Sequence, residues 1–172
     1  MSIDEKTERA LRVLLDKQEI HEVLMRYCRG IDRCDAELLH SVYHPDATDD
    51  HGLFKGKAYD FIPWALNALA RDEGTSHYIA NELIELDGDV AYCESYFFGI
   101  HRRQEKDGGG AVDLVFSGRY ADRFERRAGA WRWCRGCREV EAPGAKRQTP
   151  EARGRRATNV HTWYPATLMR RP

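Results

Sequence analysis

Residues 74–104, GTSHYIANELIELDGDVAYCESYFFGIHRRQ, decide the fold. From Thr75 onward apolar and polar side chains alternate, the period of a chain with one face buried in a sheet. In the middle, Asp87-Gly88-Asp89 supplies the left-handed backbone that a tight turn requires. The stretch therefore predicts two antiparallel strands, about 75–86 and 89–104. Downstream the pattern repeats, predicting strands at 111–126 and 130–141. Lys106–Gly110 joins the second strand to the third, and Arg127-Ala128-Gly129 turns the third into the fourth.

Upstream of Gly74 the period is helical. Residues 4–16 form a short amphipathic stretch around Leu11, Leu14 and Leu15. A stronger helix follows, in which Ile20, Val23, Leu24, Tyr27, Cys28 and Ile31 recur at 3- and 4-residue spacing and share one face. Asp35 is placed to cap a second helix, AELLHSVYH, stopped by Pro45. Asp60 is placed to cap a third, with Phe61, Trp64, Ala65, Ala68 and Leu69 as its stripe and Pro63 in its first turn. Helices first and a meander afterwards predict an α+β domain: a curved antiparallel sheet with the N-terminal helices closing one face over a hollow, a cone-shaped barrel.

The chain has 172 residues, 27 Lys+Arg against 28 Asp+Glu, 42% hydrophobic residues and five cysteines. That length suits one domain, able to bury roughly 70% of its unfolded surface. No apolar run approaches the ~20 residues of a membrane span, and the start MSIDEKTERA is too charged for a secretory leader. An odd, irregularly spaced cysteine set does not read as a disulfide scaffold, so the expectation is a cytoplasmic protein with reduced thiols. Residues 142–159 carry five basic residues and one acid, and Arg170 and Arg171 add two charges, which leaves residues 1–141 at about −7. Nucleic-acid binders carry their basic face on the folded body, so this stretch reads as a solvated linker and no nucleic-acid partner is expected. The expected organisation is a domain over 1–141, a basic linker over 142–159 and an apolar segment over 160–172 that returns to the domain or to a neighbouring subunit.

Cys134-Arg-Gly-Cys137 lacks the second pair that zinc needs, and within a strand its two thiols face opposite sides. His40 and His44 lie four apart with Asp46, Asp49 and His51 close behind; without a general-base Glu, the two read as ordinary surface histidines at a helix end. No metal is expected at either cluster. Asp49 and His51 alternate onto one strand face and are candidates for a pocket rim.

Asp32 and His77 are the more informative pair. Asp32 closes the second helical stretch at the edge of its apolar stripe, where a carboxylate is partly desolvated and needs a partner. His77 opens the first strand, with Ile79 and Asn81 on the same face. If that face looks at the helices, the carboxylate reaches the imidazole. The pair is then either a structural hydrogen bond or a general base held in one tautomer.

The run Ile20-His-Glu-Val-Leu-Met-Arg-Tyr27-Cys-Arg-Gly-Ile-Asp32, with Leu38-Leu39, Tyr43, Pro45-Asp46-Ala47, Gly52 to Gly56, Ser76-His77-Tyr78, Gly118-Arg-Tyr-Ala-Asp-Arg-Phe-Glu-Arg-Arg and Gly129-Ala-Trp131, resembles the SnoaL-like group of the nuclear-transport-factor-two-like superfamily. It is similar to the scytalone dehydratases, bile acid 7α-dehydratases and hexachlorocyclohexane dehydrochlorinases of that group. The resemblance implies a cofactor-independent lyase or dehydratase, or an isomerase or cyclase, acting on a small apolar cyclic or aromatic substrate. It places the catalytic Asp–His pair on Asp32 and His77 and a proton-donating or anchoring Tyr on Tyr27. His101 is the candidate for a second histidine. Trp64, Leu69, Ile79, Asn81, Phe97, Phe116 and Tyr120 are the expected substrate contacts. Trp163 either closes the mouth or anchors a subunit contact. A homo-oligomer is implied, a trimer favoured over a dimer. Two alternatives stay open: the non-catalytic small subunit of a ring-hydroxylating dioxygenase, and a small-ligand-binding module without turnover.

Overall fold

The computed structural model describes residues 3–105, 110–141 and 146–148. Trp163, Cys137's side chain, the remainder of the basic stretch and the apolar C-terminal segment lie outside them.

The first element is one helix, α1 (Glu5–Asp32), where two stretches were expected. Between Glu5 and Arg29 there is neither Gly nor Pro, so nothing ends the helix at the polar residues 16–19. Asp4 caps it, accepting from the Thr7 amide at 2.8 Å. Only the second half packs inward, through Ile20, Val23, Leu24, Tyr27, Cys28 and Ile31; Leu11, Leu14 and Leu15 are exposed. Gly30 sets the contact with α2 (Ala36–Val42), since a Cβ there would lie 2.8 Å from the Leu39 side chain. Asp35 caps α2 as its position predicts, accepting from the Leu38 amide at 2.9 Å.

Two short strands follow, β1 (Thr48–Asp50) and β2 (Lys55–Lys57), then α3 (Ala58–Leu69). The cap of α3 is Lys57, without a side-chain bond, so Asp60 sits inside the first turn and Pro63 beyond it. Ala58, Phe61, Ile62 and Ala65 are its buried face. The meander is β3 (Gly74–Asp87), β4 (Val90–Gln104), β5 (Ala111–Arg127) and β6 (Ala130–Glu141). Its turns fall at the Gly-containing sites that the sequence marks. The sheet order is β2-β1-β6-β5-β4-β3, with β1 parallel to β6 and the meander antiparallel. β2 and β3 are edges, so the sheet curves without closing into a barrel. Three residues of the stretch expected as linker, Lys146–Gln148, form β7 on β5.

The core lies between the second half of α1, α2, α3 and the β5–β6 end of the sheet, around Trp131, Trp133, Tyr43, Phe61 and Phe124. Aromatic edges and faces meet there, Trp133 contacting Tyr27, Tyr43 and Phe124 with centroids 5.0–5.3 Å apart. A register shift between Ala80 and Leu83 interrupts β3, with Asn81 at φ 51°. Beyond it Ile84 faces the core.

Candidate active site

The helix-facing side of β3, β4 and β5 carries Thr75, His77 and Ile79, then Phe97, Gly99 and His101, then Phe116 and Tyr120. In register, Thr75 lies opposite His101, His77 opposite Gly99, and Ile79 opposite Phe97. Asp32 reaches this face from the last position of α1. Its carboxylate accepts three hydrogen bonds: from the Thr75 hydroxyl at 2.9 Å, the His77 amide at 3.0 Å and His77 Nδ1 at 2.7 Å. Burial raises the Asp32 pKa, but the bonds from the His77 ring and amide and the His77 charge outweigh it and hold the carboxyl below the usual 3.8. The group is therefore an acceptor and His77 Nδ1 is the donor, so that in the neutral ring the lone pair lies on Nε2. The side chains of His77 and Asp32 are 10% and 22% exposed, sheltered but not sealed from solvent.

A second imidazole–carboxylate pair stands beside the first. His101 Nδ1 donates to Asp72 at 2.7 Å, and Arg103 donates to the other oxygen through Nε at 2.8 Å. The Asp72 carboxylate is 1% exposed. The two imidazoles meet edge to face, centroids 5.3 Å apart. Burial lowers the His101 pKa against the opposing pull of Asp72, and the neighbouring His77 lowers it further. Gly99 makes room between the two rings. A Cβ on it would lie 3.3 Å from His77 Nε2 and 3.9 Å from His101 Nε2, so both nitrogens converge over the one strand position without a side chain. Phe116 stands edge-on to His101 at 4.9 Å, and Phe97 stacks on Tyr120 at 4.5 Å. Together they make an aromatic wall beside the two histidines.

Tyr27 belongs to a third group. Its hydroxyl lies 3.1 Å from His51 Nε2; His51 Nδ1 bonds Asp49, and the Tyr43 hydroxyl donates to the other Asp49 oxygen at 2.5 Å. Asp49 and His51 thus lie deeper than a rim, with Asp49 buried and His51 stacked on Phe61 at 4.2 Å. Tyr27 approaches the aromatic wall through Tyr120, centroids 6.4 Å apart.

Among the expected substrate contacts, Ile79, Phe97, Phe116 and Tyr120 share the face of His77. Leu69 packs against the core cluster, and Trp64 is half-exposed on α3 against Phe54 and Phe61. Asn81 does not belong with them. The bulge resets the alternation, leaving Asn81 exposed and turning Glu82 inward to meet His21 Nδ1 at 2.9 Å. His44 is not a surface residue either, and His40 is half-buried. His44 is buried and bonds the Glu125 carbonyl at 2.9 Å, and His40 meets the Tyr59 ring edge-on at 4.4 Å. Asp72 and Gly99 escaped the sequence reading. Asp72 sits in a charged helix-to-strand connection, Arg71-Asp72-Glu73, with no local sign of which neighbour it meets. Gly99 was legible in principle as an isolated glycine inside an alternating strand.

A family model, that of the SnoaL-like domain, matches residues 12–135. The chain belongs to the SnoaL-like domain family. No functionally curated protein matches it. Solved structures agree on the fold. A hexachlorocyclohexane dehydrochlorinase, LinA type 2, superposes with TM-score 0.71 at 17% identity, covering 91% of this chain and 99% of that one. A protein described as a scytalone dehydratase from Novosphingobium aromaticivorans gives 0.66 at 22%, covering 79% and 89%. A Kribbella flavida protein, Kfla4162, gives 0.67 at 20%, covering 78% and 95%. No helix among the described residues is long and apolar enough to cross a membrane.

Proposed function

We propose that this SnoaL-like domain is a cofactor-independent lyase that removes water from a small, largely apolar cyclic or aromatic substrate by general acid–base chemistry. The observation that carries this reading is the 2.7 Å bond between Asp32 and His77 Nδ1, which leaves the opposite nitrogen of the ring with its lone pair over Gly99. His77 Nε2 takes a proton from the carbon next to an activating group, and Asp32 stabilises the imidazolium that forms. The C–O bond then breaks with its electrons on oxygen, and Tyr27 supplies the proton that lets that oxygen leave as water. His101 offers a lone pair to a substrate hydroxyl. Phe97, Phe116 and Tyr120 give the apolar wall that orients a ring. The same groups serve an isomerisation or cyclisation when no leaving group is present.

The reading places the protein in the cytoplasm as a homo-oligomer, with a trimer favoured over a dimer. Tyr78, Tyr96 and Phe98, exposed on the outer face of β3 and β4, support self-association, which light scattering on the purified chain reads directly.

The test compares wild type with His77→Ala and Asp32→Asn on a panel of hydroxylated aromatic and alicyclic compounds. Each positioned acid–base group contributes about 10² to 10⁴ in rate, so kcat falls by that factor in both variants while the melting temperature holds. Full turnover by His77→Ala refutes the base assignment.

A further inference from the structure

We infer that Asp49, His51 and Tyr43 form a proton relay behind Tyr27, a second acid–base unit separate from the Asp32–His77 pair. The inference rests on the role of Tyr27 as proton donor proposed above and adds how that donor is recharged.

The chain of contacts runs Tyr43–Asp49–His51–Tyr27. Tyr43 and Asp49 are buried in the core beside Trp133. Asp49 receives on both carboxyl oxygens, from the Tyr43 hydroxyl and from His51 Nδ1, which is the pattern of an ionised carboxylate. That contact sets the His51 tautomer: Nδ1 carries hydrogen, and Nε2 is the atom that meets the Tyr27 hydroxyl at 3.1 Å. Stacking on Phe61, with the planes 15° apart, keeps the ring from turning away. Tyr27 is held in turn by the edges of Tyr43, Trp133 and Tyr120. Every joint therefore has one atom able to give a proton and one able to take it. The relay ends on the phenol nearest the aromatic wall.

The elements explain how a short stretch of chain builds this. β1 places Asp49 inward, and His51, two residues on, points the same way. α1 presents Tyr27 from the other side, five residues before Asp32. That offset is roughly 7.5 Å of helix rise, comparable to the width of a ring-sized substrate, so a base and an acid stand at its two ends.

Protons balance over one turnover. With His51 as imidazolium, Tyr27 gives its hydroxyl proton to the departing oxygen as the C–O bond breaks. The His51 Nε2 proton then passes to the phenolate oxygen. Neutral His51 keeps its Nδ1 proton on Asp49 and regains the other from water at the edge of its ring, whose side chain is 17% exposed. His77 returns to solvent the proton it took from the substrate, so both units are reset. Tyr27 is the catalytic residue; His51, Asp49 and Tyr43 act through it.

The test has a substrate-free arm and a turnover arm, both on the full chain. In long-range ¹H–¹⁵N spectra of histidine-labelled protein, His51 signals are assigned by their loss in His51→Gln. Tyr27→Phe is expected to shift His51 Nε2 more than any other histidine nitrogen, and Tyr43→Phe to shift the His51 Nδ1 proton. In turnover of the panel compound that wild type dehydrates fastest, His51→Gln lowers kcat about a hundredfold while KM holds. A His51 Nε2 signal indifferent to Tyr27→Phe overturns the relay. So does full kcat in His51→Gln when His77→Ala is inactive, an outcome that leaves the Asp32–His77 reading standing. Activity in His77→Ala refutes that reading instead, while the spectra still decide the relay. Should His51→Gln fail to fold, the shifts in Tyr27→Phe and Tyr43→Phe decide the relay by themselves.

Discussion

Asp32–His77 and Asp72–His101 are the same pair of groups at the same 2.7 Å separation on neighbouring strands, and they differ in who else holds the carboxylate. Asp32 is shared with a hydroxyl and an amide, both neutral, so among its described partners only the His77 ring can become a cation. Asp72 already has the Arg103 guanidinium on its other oxygen. A proton arriving on His77 therefore meets a carboxylate not yet neutralised, whereas one arriving on His101 meets an occupied carboxylate in a buried setting. In the proposed mechanism this difference divides the labour: the helix-borne pair accepts the proton, and the loop-borne pair holds a neutral, orienting imidazole.

Exchanging each carboxylate for its amide breaks this comparison most forcibly. Asp32→Asn removes the stabilisation of the imidazolium, so kcat falls about 10² to 10⁴ with little change in melting temperature. Asp72→Asn leaves His101 and Arg103 without their shared anion at a buried position, and its main effect is on stability: a loss of about 1–3 kcal/mol by urea titration, with a smaller drop in kcat. Equal kinetic losses from the two variants, at equal stability, remove the proposed division.

Gly99→Ala asks the same question of geometry. The new methyl would press on His77 Cδ2 and Nε2 at 3.3 Å while standing further from His101, so the imidazole must shift against its Asp32 bond. We expect kcat to fall roughly tenfold, as misplacement of a reacting group by a fraction of an ångström does, with the fold intact by circular dichroism. Unchanged kcat indicates that His77 can give way without penalty.

The two pairs also mark how far the sequence was legible. Glycine at each turn, with period-two alternation between, locates the four long strands to within a residue or two. The helix-edge position of Asp32 and the strand parity of His77 bring those two residues together. Parity failed at Asn81, because the shift between Ala80 and Leu83 is a decision of pairing register that no local residue pattern encodes. It failed differently for Asp72, whose partners come from β4 and are defined only once the sheet is assembled. His44 read as a surface residue because the β5 carbonyl that it meets at Glu125 is 81 positions away. Tyr27 was found through the resemblance alone; its bond to His51 depends on β1 lying beside α1, which alternation along either segment does not reveal.

The smallest expected effect is a slope with pH. Burial lowers the pKa of His101, and it lowers that of His44 with the charges of Arg127 and Arg132 adding to it, both relative to the usual 6.5. A histidine whose folded pKa lies below its unfolded value is protonated more readily by the unfolded chain. Its contribution to stability is therefore complete above about pH 6.5 and is lost as pH falls toward the folded value. The unfolding free energy from urea titrations is expected to be level from pH 8 to about 7 and to decline below that. His101→Gln removes part of the decline and His44→Gln another part, because neither replacement titrates. The two sites sit in separate regions, one beside His77 and one under the β5–β6 turn, so their contributions add in the double variant. An undiminished slope in His101→Gln means that its imidazole is protonated as easily folded as unfolded, and then it cannot serve as the neutral member of the two pairs.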